Sequence, residues 1–250
     1  MADPTAKRRR RVWLFDLDNT LHDASHAAFG WTNQAMNEYI IAHLGMSQDE
    51  AARLRQRYLK DYGATLLGLV RHHGVDAAHF LEQTHVHPEL DRLARTSTHD
   101  RAALKKLAGR RYVLTNAPRA YALRVMRILK LDRCIAGVIS IEDMTMFGHL
   151  RPKPDARMFR HIAARLRVRP ADCVLVEDTL EHQKAARGVG MTTAWMQRYL
   201  EGRFGGSIRD AFNARANRGF KRLEVGVHRC RRPTYVCAKI KSLQKLRTLS

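Results

Sequence analysis

The sequence predicts an α/β fold in which a doubly wound parallel sheet carries an inserted α-helical domain. After residue 100, short apolar runs alternate with helical segments, which is the pattern of parallel strands joined by crossover helices. Between about residues 22 and 98 the apolar residues recur at helical spacing, and no strand pattern interrupts them. Acidic and other polar residues end several of the apolar runs, which indicates that the strand ends carry chemistry.

The elements before residue 98 begin with a buried strand over 12–16 and continue as helices. The first long helix can end at Gly45, because glycine readily adopts the left-handed conformation of a helix end. Ser47-x-x-Glu50 is a capping box that begins the next helix, and Gly63 ends that helix. Two shorter helices are predicted after it, over 65–73 and from Asp76 to about Val86.

The elements after residue 98 alternate between helix and strand as a parallel sheet requires. Gly188 is expected to end the last of the helices. Residues 200–232 are rich in Gly and Arg and predict an irregular basic insertion. Residues 235–238 and 242–246 could form a short edge strand and helix. The predicted strands are 111–115, 137–141, 173–177 and 192–196, and the predicted helices are 100–108, 181–187 and those that start at Pro118 and Pro154.

Composition favours a globular, cytoplasmic protein. The chain has 250 residues, 45% of them hydrophobic, and no apolar run as long as a membrane span. The basic residues 7–11 do not introduce a signal peptide, because the apolar stretch after them is short and contains Asp16 and Asp18. The four cysteines lack C-x-x-C spacing and are predicted to be reduced thiols. They are Cys134, Cys173, Cys230 and Cys237.

Asp16 and Asp18 end the first apolar run and are the most informative residues of the chain. Side chains two residues apart on a strand point the same way, so the two carboxylates share one face. Such a pair at the end of a buried strand is costly unless a cation or a reaction needs it. A divalent metal would remove the cost, and one carboxylate could then attack phosphorus. The alternative is an Asx-type turn or a helix cap.

Three further groups of polar residues follow in chain order. Thr115 and Asn116 end the second strand, and Lys153 lies between two prolines that restrict its backbone. Glu177 and Asp178 end a later apolar run. The alternatives are a surface lysine in water and a pair of acids that caps the helix after the strand.

These four groups resemble the motifs of the haloacid dehalogenase superfamily in its capped phosphatase form, over roughly residues 11–199. The resemblance implies a Rossmann-like catalytic core over 11–21 and 99–199. A helical cap over 22–98 would then be inserted after the first strand. The insertion at 200–232 would follow the core, with a possible return to the core at 233–250.

The resemblance also implies a role for each motif residue. Asp16 would be the nucleophile, and Asp18 the general acid and then the general base. Thr115 and the backbone N–H of Asn116 would bind the phosphoryl group, while Lys153 would balance its charge. Thr20 would bond within the turn that follows the nucleophile. Mg²⁺ would be held by the Asp16 carboxylate, the Asp18 main-chain carbonyl and Asp178, with Glu177 on a metal-bound water.

Finer resemblance points to pyrimidine 5'-nucleotidases and therefore to a substrate such as UMP or CMP. It rests on Phe15 to Leu21, Thr115 to Pro118 and Glu177 to Thr179. His22 departs from the pattern, because an aromatic Tyr is expected there. Phosphoglycolate or a sugar phosphate is the alternative, since the substrate-reading residues belong to the cap.

The net charge of +21 is compatible with a second, less favoured class of function, binding of nucleic acid or another polyanion on a phosphatase-like scaffold. Residues 198–250 carry 14 Lys and Arg against 3 Asp and Glu. The alternative for this basic segment is a solvated tail that attracts anionic substrates.

Two sets of cap residues invite functional readings that the sequence does not favour. Four histidines lack the spacing of a zinc site. Four aromatic residues at helical spacing are more typical of a cap core than of a base-stacking platform. The histidines are His72, His73, His85 and His87, and the aromatic residues are Trp31, Tyr39, Tyr58 and Tyr62.

Overall fold

A computed structural model describes residues 11–200 and 232–249 of the chain. Its strands belong to one six-stranded sheet and one small hairpin. The sheet strands are β1 (Val12–Phe15), β2 (Arg110–Leu114), β3 (Gly137–Ile139), β6 (Cys173–Glu177), β7 (Thr192–Met196) and β8 (Ala238–Ile240), and the hairpin strands are β4 (Thr145–Met146) and β5 (His149–Leu150).

The large sheet is entirely parallel and has the order β3-β2-β1-β6-β7-β8. Strand β1 lies at its centre, with Phe15 opposite Val113 of β2 and Val176 of β6. All four residues of β1 are fully buried, as expected for a parallel strand that is covered on both faces. The predicted α/β class with a parallel sheet is therefore confirmed.

The described residues form two compact units, each with its own helices. One unit contains residues 11–23, 94–200 and 232–249, and the other contains residues 24–93. The helices of the second unit are α1 (Ala24–Ala27), α2 (Phe29–Leu44), α3 (Gln48–Tyr62), α4 (Thr65–His73), α5 (Ala77–Thr84) and α6 (Leu90–Leu93). Those of the sheet unit are α7 (Thr98–Lys106), α8 (Arg119–Ile128), α9 (Ala156–Arg165) and α10 (Leu180–Gly188).

The helical unit follows its local sequence signals closely. The hydroxyl of Ser47 accepts a hydrogen bond from the Glu50 backbone, and the Glu50 carboxylate accepts one from the Ser47 backbone, so the capping box is confirmed. Gly45 and Gly63 end α2 and α3 with φ of 66° and 77°. These left-handed values favour glycine, which explains why the two helices end where the sequence predicts.

The sheet unit differs from the prediction in three places. Helix α10 includes Gly188 as its last residue, Val189 is its C-cap, and the left-handed residue is Gly190, with φ of 94°. Strand β3 stops at Ile139, because a 3₁₀ turn over Ile141–Met144 and the β4–β5 hairpin follow it. Strand β8 begins at Ala238, three residues later than the sequence pattern indicates.

Asp100, near the start of α7, ties the C-terminal segment to the sheet unit. Its buried carboxylate pairs with Arg198 and accepts hydrogen bonds from the Ser242 hydroxyl (3.1 Å) and the Leu243 backbone N–H (2.9 Å). These donors hold the 3₁₀ turn Leu243–Thr248 that follows β8. One carboxylate thus satisfies three polar groups from two separate parts of the chain.

We expect Asp100→Ala to lower the free energy of unfolding by roughly 2–4 kcal/mol, because it leaves several buried donors without an acceptor. Urea unfolding followed by circular dichroism measures the change. Asp132→Ala, at an exposed position, is the matched control and should change it by less than about 0.5 kcal/mol. Equal stability of Asp100→Ala and the wild type would contradict this role for Asp100.

The cysteines, the helices and the basic insertion bear on the remaining sequence predictions. Cys134 and Cys173 are buried free thiols, Cys237 is a partly exposed one, and Cys230 lies outside the described residues. Within the described ranges, no helix combines the length and apolarity that crossing a membrane demands. The basic insertion predicted over 200–232 lies almost wholly outside the described residues, so its polyanion-binding role stays a prediction.

Candidate active site

The chain turns sharply after β1, and this turn places Asp16 and Asp18. The backbone N–H of Asp16 still follows the sheet, donating to the Val176 carbonyl at 2.9 Å. The chain then turns back, with Asn19 in the left-handed region at φ of 57° and the Leu21 N–H bonded to the Leu17 carbonyl. Asparagine tolerates this conformation better than most residues. The sequence Asp-Leu-Asp-Asn therefore makes a tight loop at the carboxyl end of the central strand.

Residues from three neighbouring strand ends and one loop meet at this edge of the sheet. Asp16 follows β1, Thr115 follows β2, and Glu177 is the last residue of β6. Lys153 comes from the loop before α9. Because the order β2-β1-β6 places these strands side by side, their carboxyl ends form one cluster.

Lys153 is the centre of this cluster. Its ammonium group donates to Asp16 Oδ1 at 2.7 Å and to Glu177 Oε2 at 2.8 Å. The side chain is 1% exposed, so it is not a surface lysine in water. Burial opposes the charged form, but the carboxylates of Asp16 and Glu177 outweigh burial and raise the pKa of Lys153. Lys153 is therefore a fixed positive charge beside Asp16.

Asn116 holds the backbone of Lys153 through a pair of hydrogen bonds. Its side-chain Nδ2 donates to the Lys153 carbonyl at 2.9 Å, and its Oδ1 accepts from the Lys153 N–H at 3.0 Å. The sequence suggested only a backbone role for Asn116, so this positioning role is an addition. Thr115 is buried, and its hydroxyl accepts from the Ala117 N–H at 3.0 Å.

Glu177 and Asp178 lie against Asp16, and Thr179 rather than either acid occupies the N-cap position of α10. Glu177 Oε1 also accepts from the Thr179 N–H at 3.2 Å. One carboxylate oxygen from each of Asp16, Glu177 and Asp178 lies within 4.8 Å of the others. Glu177 Oε2 is also 3.1 Å from His182 Nδ1. Burial acts in the other direction, but Lys153 and then His182 lower the pKa of Glu177, so this carboxylate is ionised.

Two buried side chains fix the backbone that carries this acidic pair. Gln183 Nε2 donates to the Glu177 carbonyl at 2.7 Å, and Trp195 Nε1 donates to the Asp178 carbonyl at 2.9 Å. Neither residue stands out in the sequence, because a lone Gln or Trp belongs to no motif. The only sequence signal is that Gln183 and Trp195 lie on the helix and the strand that follow the acidic pair.

Asp16 has more negatively than positively charged neighbours. Burial first, and then Glu177, raise its pKa well above the usual value; Asp178 and Asp18 add to this, and Lys153 only partly opposes it. One ammonium cannot balance three clustered carboxylates. Hard oxygen donors with an excess of negative charge fit a divalent cation such as Mg²⁺.

Asp18 has its own set of neighbours. Its Oδ1 accepts a hydrogen bond from the Tyr121 hydroxyl at 2.8 Å and lies 3.0 Å from His22 Nε2. Burial and the nearby Asp18 raise the pKa of Tyr121 well above its usual value, so the hydroxyl keeps its proton. In the sequence, His22 is only a departure from a family pattern, and Tyr121 belongs to none of the motifs.

The other residues singled out from the sequence have plainer surroundings. Thr20 bonds within the turn through its backbone N–H, which donates to the Leu17 carbonyl at 3.4 Å, while its buried hydroxyl has no hydrogen-bond partner in the described part of the chain. Among the described residues, the only group of His, Cys, Asp and Glu with metal-site spacing is the acidic cluster around Asp16.

The aromatic residues singled out in the helical unit are mostly buried. Tyr39 and Tyr58 are buried, Tyr62 is partly buried, and Trp31 is exposed. Each tyrosine also contacts a histidine of the helical unit, namely His79, His73 and His72 in that order.

Comparison with known families and proteins agrees with this geometry. The model for haloacid dehalogenase-like hydrolases matches residues 11–190. Phosphate metabolism protein 8 of Saccharomyces cerevisiae is 23% identical over 199 residues, which are 75% of this chain and 62% of that protein. The chain thus spans less than two thirds of the yeast protein's length.

Several solved structures share the fold at low sequence identity. A HAD phosphatase from Thermococcus onnurineus is 19% identical, with a TM-score of 0.56 over 96% of this chain and 97% of that one. L-2-haloacid dehalogenase from Xanthobacter autotrophicus is 19% identical, with a TM-score of 0.53 and the same coverage. The HAD-type hydrolase YfnB from Bacillus subtilis, bound to magnesium, is 14% identical, with a TM-score of 0.53 over 96% and 98% of the chains.

Proposed function

The chain belongs to the haloacid dehalogenase-like hydrolase family, and on that premise we propose that it hydrolyses phosphate monoesters through an aspartyl phosphate on Asp16. One observation carries the proposal: a buried carboxylate, Asp16, is paired with the Lys153 ammonium and lies beside two further acids. A fourth acid, Asp18, lies two residues after Asp16 in the same loop. Asp16 would be the nucleophile, Lys153 would balance charge and Asp18 would donate the proton.

In the first step, an oxygen of Asp16 attacks phosphorus and the bond to the leaving oxygen breaks. Asp18 donates its proton to that leaving oxygen, so the alcohol departs neutral. Lys153 and Thr115 face the negative charge of the phosphoryl group. In the second step, Asp18 takes a proton from water, the water oxygen attacks phosphorus, and Asp16 is released with inorganic phosphate.

The acidic cluster fits a divalent cation, and we assign Asp16, Asp178 and the Asp18 main-chain carbonyl as its ligands. Mg²⁺ bound there would supply the positive charge that Lys153 alone does not, and would neutralise charge on the phosphoryl oxygens. Glu177 has Oε2 bonded to Lys153 and close to His182. It adds negative charge to the site and could reach a metal-bound water only through its other oxygen, Oε1.

We expect turnover to require Mg²⁺ and to disappear in excess chelator. Asp178→Asn should raise the Mg²⁺ concentration for half-maximal activity by about tenfold or more, because it removes one charged ligand. Activity titrated with Mg²⁺ gives both values, and Asp172→Asn, a change on the 3₁₀ turn before β6, is the matched control. Full turnover in a chelator-treated sample would contradict the metal assignment.

A dehalogenase activity is the competing reading, since both phosphatases and haloacid dehalogenases share this fold. Asp18 favours the phosphatase. An alkoxide leaving group needs a proton, whereas a halide leaves as a stable anion and needs no second acid at this position. The contacts of Asp18 with Tyr121 and His22 hold that acid in a defined place.

The substrate class we propose is a pyrimidine nucleoside 5'-monophosphate. The support is the resemblance of Phe15 to Leu21 and Thr115 to Pro118 to pyrimidine 5'-nucleotidases. Initial rates should be compared across UMP, CMP, AMP, GMP, a hexose phosphate and phosphoglycolate. A kcat/KM for UMP or CMP at least about tenfold above that for every other ester supports the proposal. A preference for phosphoglycolate or sugar phosphate contradicts the nucleotide substrate but not the phosphatase activity.

A further inference from the structure

The carboxylate of Asp18 is held from one side by two residues that lie outside the motifs. The Tyr121 hydroxyl donates to Oδ1 at 2.8 Å, and His22 Nε2 lies 3.0 Å from the same oxygen. The Tyr121 hydroxyl and His22 Nε2 are themselves 3.4 Å apart. The Tyr121 hydroxyl, His22 Nε2 and Asp18 Oδ1 are therefore all in contact with one another.

His22 and Tyr121 come from two separate elements, and both residues are buried. His22 is fully buried, and a backbone bridge pairs it with Asp18 across the loop that follows β1. Tyr121 is buried in the first turn of α8, which follows β2. The loop after one strand and the helix after its neighbour thus fix Asp18 between them.

The side chain of His22 faces Asp18 through one ring nitrogen, Nε2. An ionised carboxylate can only accept hydrogen bonds, so Nε2 is the donor whenever Asp18 is ionised. The other nitrogen, Nδ1, is buried and has no hydrogen-bond partner among the described residues. Within the described part of the chain, the ring of His22 therefore makes its polar contacts through Nε2 alone.

Two contacts on Oδ1 limit how the Asp18 carboxyl group can rotate. A general acid works only when its proton faces the leaving oxygen within hydrogen-bond reach. A carboxyl group free to rotate would spend much of its time with the proton turned away.

We propose that Tyr121 and His22 are positioning residues that hold the Asp18 carboxyl in the orientation from which it delivers its proton to the leaving oxygen. This inference rests on the proposed function, because it assigns partners to its general acid. Neither residue touches the phosphoryl group in this account. Their effect should appear only where proton donation limits the rate.

Leaving-group dependence separates this role from a structural one. An alkyl phosphate such as UMP needs protonation of its leaving oxygen, whereas p-nitrophenyl phosphate releases a stable phenolate without it. The value of kcat/KM reports steps up to the first irreversible one, which here is formation of the aspartyl phosphate. The ratio of kcat/KM for UMP to that for p-nitrophenyl phosphate therefore measures acid catalysis alone.

We expect Tyr121→Phe to lower kcat/KM for UMP by about tenfold or more, a fraction of the 10²–10⁴-fold that full loss of a general acid costs. The value for p-nitrophenyl phosphate should stay within about threefold of wild type. Tyr112→Phe removes a hydroxyl from β2 in the same unit and is the matched control. Its ratio should equal that of the wild type.

His22 provides an independent test that does not depend on Tyr121→Phe folding. His22→Ala should shift the ratio in the same direction, and His22→Gln, which keeps a donor nitrogen, should restore it. A ratio that stays at the wild-type value in all three variants, while turnover still depends on Asp16, contradicts the inference alone. Wild-type turnover that survives Asp16→Asn contradicts the proposed function and the inference with it.

Discussion

Asp16→Asn should lose turnover of every phosphate ester while its fold stays intact. The loss should be on the order of 10⁵-fold or more, the scale seen when an enzyme loses its nucleophile. An amide cannot attack phosphorus at a useful rate, and it accepts the hydrogen bond from Lys153 without a charge. The residue is also buried among acids, so removing its charge should not destabilise the fold.

Steady-state rates with p-nitrophenyl phosphate measure this loss, and thermal unfolding checks that the variant is folded. Asp132→Asn, an exposed aspartate outside the cluster, is the matched control and should keep wild-type rates. A folded Asp16→Asn variant with turnover within tenfold of wild type would mean that another group forms the bond to phosphorus.

Lys153→Met should remove activity and also destabilise the protein by about 3–5 kcal/mol. The methionine fills a similar volume but leaves Asp16 and Glu177 buried without their shared ammonium. Loss of one partner from a buried ion pair is costly for this reason. Urea unfolding in the presence of chelator measures the change without help from a bound cation.

A second variant separates the stability role of Lys153 from its catalytic role. Lys153→Met combined with Glu177→Gln should recover much of the lost stability, because one fewer buried charge lacks a partner. The double variant should remain inactive, since the Lys153 ammonium then no longer faces the phosphoryl group. Lys153→Met that unfolds at the wild-type urea concentration would show that the ammonium does not balance this cluster.

The sheet could be predicted from the sequence because its central strands β1 and β6 are apolar runs that end in acidic residues. Strand β1 and strand β6 match the predicted positions almost to the residue, since both are buried along their whole length. The hairpin β4–β5 was missed because two-residue strands leave no periodic pattern. The end of α10 was misplaced because Gly188 and Gly190 carry the same local signal, and only the backbone shows which one is left-handed.

The site residues that lie at strand ends could be predicted from the sequence. The residues that only hold other site residues in place could not. Asp16, Thr115, Glu177 and Asp178 close apolar runs, so their position in the chain already indicates a shared edge. Tyr121 and His182 lie within helices, where nothing in the local sequence distinguishes a site residue from an ordinary one. The Asn116 side chain likewise bonds to the Lys153 backbone across 37 positions, which no local pattern predicts.

The central claim is that Asp16 becomes covalently phosphorylated, and acid-quenched enzyme tests this directly. Wild-type protein should be mixed with p-nitrophenyl phosphate and Mg²⁺, quenched within one turnover, digested and analysed by mass spectrometry. The account predicts one added phosphoryl group on the peptide that contains Asp16, absent from Asp16→Asn and trapped in greater amount in Asp18→Asn. Turnover with no phosphorylated peptide at any quench time, or with the phosphoryl group on another residue, would contradict it.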